Sequence, residues 1–118
     1  MTIQYHGQSP RLSEATVANG FIFLAGMVPE NTDVDTTEQT QDVLAQIDKW
    51  LAECGSDKNH ILEATIFLPN LADYDAMNIA WDAWVNPQHS PARACIEAKL
   101  AKPEWKVEIK VSAVQIQK

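Results

Sequence analysis

A chain of 118 residues, 46% hydrophobic and 21% charged, has the size and balance of one globular domain, residues 1–118, around a single core. Its net charge of −7, with no cluster of Lys or Arg, argues against a nucleic-acid partner, which needs a basic patch or stripe. No 18-residue apolar run is present and Met1–His6 has neither a basic start nor an apolar stretch, so the expectation is a cytoplasmic protein that spans no membrane.

In chain order, residues 2–7 suggest a short first strand. Asn19-Gly20 then separates Ala15–Ala18 from Phe21–Gly26, and a turn whose residues tolerate positive φ marks a β-hairpin. Pro29–Val34 reads as a loop. Asp35-Thr36-Thr37-Glu38-Gln39 opens a helix with a capping residue three positions before Glu38 or Gln39. Val43, Leu44, Ile47, Trp50, Leu51 and Cys54 share its inner face, and Gly55 suits the stop. Ile61–Leu68 is an apolar run closed by Pro69, read as a central strand. A second helix starts near Asp73, carries Met77, Ala80, Trp81 and Trp84 inward, and ends at Asn86-Pro87.

Two alternating runs close the chain. From Pro91 to Leu100, Ala92, Ala94, Ile96, Ala98 and Leu100 alternate with Arg93, Cys95, Glu97 and Lys99, which predicts a strand with the first set toward the core. Arg93 and Cys95 then project side by side from the other face. From Lys106 to Gln115, Val107, Ile109, Val111 and Ala113 face the core and Glu108 faces away. These two strands are expected to form a hairpin across Ala101–Trp105, so Arg93, Cys95 and Glu108 would lie on adjacent strands as a site for a small organic acid. Glu108 also suits a plainer role as the cross-strand partner of a cation such as Lys99.

The order hairpin, helix, strand, helix, strand, strand gives an α+β sheet with two helices on one face. Phe21–Leu24 and Ile61–Leu68 are apolar on both faces, which predicts a sheet buried on both sides. Two helices cover one side only, so another copy of the chain is the simplest cover for the second. Cys54 and Cys95 have no metal spacing and read as free thiols. His6, His60 and His89 form no ligand grouping, so no metal site is expected.

Pro91-Ala92-Arg93-Ala94, Ile96, Lys99 and Ala101, followed by Val107-Glu108-Ile109, resemble the signature of the RidA/YjgF family of reactive-intermediate (enamine/imine) deaminases. The likeness runs from Val17-Ala18-Asn19-Gly20 through Ala25-Gly26-Met27-Val28-Pro29, Gln39-Thr40, Ala64–Leu68 and Met77-Asn78. Glu30-Asn31, Gln46-Ile47-Asp48 and Trp81–Val85 are most similar to a small YoaB-like bacterial branch. The resemblance implies a chorismate-mutase-like, ferredoxin-like mixed sheet. It also implies a homotrimer with a central β-barrel, helices outside, and sites in the clefts between subunits.

The resemblance further implies that Arg93 grips the carboxylate of a 2-imino or 2-enamino acid, a task suited to a planar guanidinium fork. Glu108 would position or activate the water that releases ammonia and leaves a 2-keto acid. Cys95 would line the pocket as a wall rather than act as nucleophile, and Asn78 matches a pocket asparagine. No cofactor or metal is implied, because the imine is already electrophilic. Where members acting on small imino acids carry a tyrosine and a serine or threonine, this chain has Leu12 and Ala25, which implies a more apolar pocket. The alternative implied by those two substitutions is a non-catalytic protein that binds or senses small keto acids in the same cleft. A ribonuclease reading, known among relatives, fits poorly with the acidic charge.

Overall fold

The computed structural model describes residues 1–117, arranged as one six-stranded sheet with two α-helices. Strands β1 (Ile3–His6), β2 (Ala15–Ala18) and β3 (Phe21–Leu24) form a meander. Helix α1 (Thr36–Glu53) leads to β4 (Ile61–Leu68), and α2 (Tyr74–Trp84) leads to β5 (Ala92–Glu97). Strand β6 (Glu108–Val114) comes last. The expected α+β class, with two helices on one face, is what the structure has.

Local chemistry accounts for the element ends. Asn19 and Gly20 turn the β2–β3 hairpin with φ of 53° and 82°, the left-handed region that Asn and Gly enter at low cost. The Asp35 carboxylate accepts from the Glu38 N–H at 2.9 Å and caps α1, beside the helix dipole's positive end. Gly55, at φ 81°, follows the helix where a side chain would be strained.

The sheet order is β1-β2-β3-β6-β4-β5. Both β3 and β4 run antiparallel to β6, so β6 is inserted between two parallel strands, while β4 and β5 pair in parallel across α2. The expected hairpin of the last two strands is therefore incorrect: β5 lies on the edge of the sheet and β4 separates it from β6. The expected runs Pro91–Leu100 and Lys106–Gln115 also contract to strands at 92–97 and 108–114. A parallel neighbour needs a long crossover, which α2 supplies to β5, whereas β6 satisfies two central ladders at once.

Alternation fixes two faces. Ile22, Leu24, Ala64, Ile66, Leu68, Ile109, Val111 and Ala113 are buried and face the helices. They meet Val43, Leu44, Ile47 and Leu51 from α1 and Met77, Ala80 and Trp81 from α2. The opposite face is open, with Phe21, Phe23 and Ile96 each nearly half exposed. On β5 the expected orientation is reversed. Arg93 pairs with helix-facing Ala64 and Cys95 with helix-facing Ile66, so Ala92, Ala94 and Ile96 take the open face. Pairing parity decides this, since neighbouring residues on paired strands must share a face. The small alanines offered too little apolar contrast to set the face alone.

Among the described residues no helix is long and apolar enough to cross a membrane.

Candidate functional site

The residues singled out in the sequence fall into two groups, one on each face of the sheet. Arg93, Cys95 and Asn78 belong to the first, between β5 and α2. Asn78 lies one residue beyond buried Met77, which turns it toward the gap beside β5. Its Oδ1 accepts from Arg93 Nη1 at 2.8 Å, and the Tyr74 hydroxyl accepts from Arg93 Nη2 at 3.0 Å. The guanidinium carbon also lies 5.2 Å from the Trp81 ring centroid and 5.8 Å from that of Tyr74.

Arg93 is thus half-buried against two aromatic rings and two neutral acceptors. The ion pairs among the described residues are His6–Glu53 and His60–Asp57, so none involves Arg93. Two of its five N–H donors are used, which leaves enough for a bidentate hold on one carboxylate. Cys95 packs beside it, partly buried against the core. Burial pushes its thiol pKa up and the Arg93 charge offsets part of that rise, so the sulfur stays protonated near neutral pH.

Glu108, on the central strand β6, forms the second group, with Ala25 one residue before the Gly26 that its side chain meets. Glu108 starts β6 on the open face, and its side chain lies against Gly26. A Cβ on Gly26 would collide with the Glu108 carboxylate at Oε2, so glycine is the residue this contact requires. Burial pushes the Glu108 pKa above its ordinary value, and Lys110, two residues along the same face, draws it part of the way back. The expected partnership with Lys99 does not form. Lys110 itself donates to the Leu24 carbonyl at 2.8 Å. Ala25 donates its N–H to the Glu14 carbonyl at 2.9 Å, and Leu12 is exposed in the turn closed by Ser9.

Gln39 sets the chain's approach to Glu108. This fully buried side chain accepts from the Lys106 N–H at 2.9 Å and donates to the Val34 and Glu104 carbonyls at 3.2 and 3.3 Å. The segment ahead of β6 is thereby fastened to the start of α1.

Arg93 and Glu108 do not meet within one chain. Arg93 pairs with Ala64, and Ala64 with Val111, three residues from Glu108. Two strand spacings and three residue rises separate their Cα atoms by about 14 Å. Their side chains also leave opposite faces of the sheet. The expectation that they share one polar face on adjacent strands is corrected on both counts.

Two supports escaped the sequence reading. Tyr74, Asn78 and Trp81 stand at i, i+4 and i+7 on α2, a spacing that places all three on one helical stripe. Trp81 is buried core as its spacing predicts and also presents its ring to Arg93, whereas Tyr74 at the helix start and the contact of Gly26 with Glu108 carry no signal in periodicity. Among the described residues no cluster of His, Cys, Asp or Glu could hold a metal ion.

Residues 6–115 match the family described as endoribonuclease L-PSP. A solved member of the YjgF protein family from Neisseria meningitidis is 61% identical, with a TM-score of 0.98 over 100% of this chain and 98% of that one. The RutC family protein YoaB of Escherichia coli is 48% identical over 113 residues, 96% of this chain and 98% of that protein. The 3-aminoacrylate deaminase RutC of Acinetobacter baylyi is 35% identical over 101 residues, 80% of this chain and 79% of that protein.

Proposed function

The chain belongs to the endoribonuclease L-PSP family of YjgF, RidA and RutC proteins, and from that premise we propose that it hydrolyses small 2-imino or 2-enamino acids to 2-keto acids and ammonia. The observation that carries this reading is Arg93: a half-buried guanidinium, oriented by neutral groups and left without a carboxylate of its own. Burying such a charge is costly unless an anion completes it, and a substrate carboxylate is the complement its fork fits.

The site is proposed to form between copies of the chain in a homotrimer. The open sheet face, with Phe21, Phe23 and Ile96 exposed, supports association because it places apolar area where a second copy can cover it. Arg93, with Asn78 and Cys95 beside it, then comes from one copy and Glu108, with Ala25 and Leu12, from its neighbour.

In the proposed reaction Arg93 holds the carboxylate, and Glu108 takes a proton from water as its oxygen bonds to the imine carbon. Glu108 passes that proton to the imine nitrogen, giving a neutral carbinolamine. It then takes the carbinolamine hydroxyl proton and delivers it to the amine as the C–N bond breaks, so one water enters and one ammonia leaves with the keto acid. An elevated carboxylate pKa suits a group that both accepts and donates this proton. A cytoplasmic location is part of the same proposal.

The test is to generate 2-aminoacrylate or 2-iminobutanoate in situ and follow keto-acid release. Wild type is expected to exceed both the uncatalysed rate and Arg93→Ala; equality with Arg93→Ala refutes the enzyme reading. A second reading, keto-acid binding without turnover, draws on Leu12 and Ala25, which bring no side-chain hydroxyl to the glutamate group. It predicts 2-ketobutyrate binding that Arg93→Ala abolishes, with no keto-acid release above background. The acidic charge gives no support to RNA as the substrate.

A further inference from the structure

We propose that Tyr74 is a positioning residue for carboxylate recognition, presetting the Arg93 fork through its hydroxyl and its ring. The inference rests on the reading above that Arg93 takes a substrate carboxylate. Tyr74 is the only one of the three α2 neighbours to touch the guanidinium in both ways: its hydroxyl is 3.0 Å from Nη2 and its ring centroid 5.8 Å from the guanidinium carbon. Asn78 supplies a hydrogen bond alone, and Trp81 a ring alone.

The backbone beneath Tyr74 is itself fastened. Tyr74 is the first residue of α2 and follows a short helical turn at Leu71–Asp73. The Asn70 side chain caps that turn by accepting from the Ala72 N–H at 2.9 Å, and the Tyr74 N–H donates to the Leu71 carbonyl. The phenol therefore projects from a pinned helix start rather than from a loop. It remains 40% exposed, so it stands at the outer side of the arginine.

The chemistry of the phenol fits this task better than its alternatives. A carboxylate at position 74 would neutralise Arg93 and compete with the ligand. A phenylalanine would leave Nη2 to be solvated and the long side chain free to change rotamer. A phenolic oxygen accepts the hydrogen bond without cancelling the charge. Ordering the fork before the ligand arrives removes part of the entropy that binding must otherwise overcome.

The experiment compares wild type, Tyr74→Phe, Tyr74→Ala and Arg93→Ala by calorimetry with 2-ketobutyrate and by steady-state keto-acid release from 2-iminobutanoate. Tyr74→Phe is expected to weaken binding and raise KM about fivefold, the size of one hydrogen bond, with kcat within about twofold and an unchanged melting temperature. Tyr74→Ala, which also loses the ring, is expected to weaken binding further. Tyr74→Phe binding like wild type while Arg93→Ala loses binding would overturn the role of Tyr74 and leave the carboxylate reading standing. A fall in kcat at constant KM would also overturn it. Wild-type binding by Arg93→Ala would instead remove the reading on which the inference rests.

Discussion

The arginine group and the glutamate group are built on opposite principles. Arg93 is surrounded by contacts from its own chain: two hydrogen bonds, two aromatic rings and a core-packed cysteine neighbour. Glu108 lies on an open face against a glycine and forms no ion pair among the described residues. The first is ordered within one chain and makes no ion pair among the described residues. The second carries a carboxylate whose pKa is already raised by burial, next to a surface that a second copy would enclose further. On the proposed reading, the first region binds the carboxylate and the second moves protons once a neighbouring copy covers it.

Substitutions can break this contrast in order of expected size. Arg93→Ala is expected to weaken 2-ketobutyrate binding at least about thirtyfold, since truncating one side of a charge-assisted pair costs roughly 2–5 kcal/mol. Calorimetry checks this, and Glu108→Gln should bind the keto acid within about threefold of wild type while losing most turnover. Phe23→Asp places a charge on the open face without touching the core, because Phe23 is 48% exposed in the single chain. Sedimentation should then show a folded monomer in place of an assembly, with wild-type circular dichroism.

Gly26→Ala sharpens the comparison further. The added methyl must displace the Glu108 carboxylate, which is the movable end of a flexible side chain. Keto-acid release is expected to fall about tenfold while keto-acid affinity is unchanged, because the general-acid/base geometry is lost and the arginine group is not. Equal losses in both would show that the two regions are not separable.

The smallest effect is on pH dependence. Burial raises the folded-state pKa of Glu108, so its native environment favours the protonated form and opposes ionisation. As pH falls from neutral through that raised value, the protein should gain stability relative to Glu108→Gln, and lose the gain as pH rises again. Melting temperatures of the two proteins, measured side by side, should lie nearest below that window, where Gln mimics the protonated carboxyl, and differ by a constant amount above it. Turnover by wild type should decline over the same acid limb.

Much of this frame was legible locally. Asn19-Gly20 identified the first hairpin and Asp35-Thr36 the start of α1, with the structure choosing Asp35 as the cap, because turn and cap chemistry act over a few residues. Ile61–Leu68 was legible to the residue from its apolar run and Pro69. Strand order was not, because inserting β6 between β3 and β4 depends on pairing across much of the chain. The face of β5 was misread for a related reason: Ala92 and Ala94 look like core until Ala64 and Ile66 set the parity. The motif identified Arg93, Cys95 and Glu108, yet periodicity alone had no means of assigning them to opposite faces of a sheet whose order was unknown. Tyr74 carries no signal in the sequence, because an aromatic at a helix start gains its meaning only from Arg93 beside it.

The most direct test of the two-group account is complementation between two inactive variants. Arg93→Ala retains the glutamate group and Glu108→Gln retains the arginine group, so each alone should be nearly inactive. Refolded together at equal amounts, random assembly in a closed ring would restore about a quarter of the sites, each pairing the intact half of one copy with the intact half of its neighbour. Recovery of keto-acid release to about that fraction of wild type is the predicted result. A mixture no more active than the separate variants, despite confirmed mixed assemblies, would contradict the account.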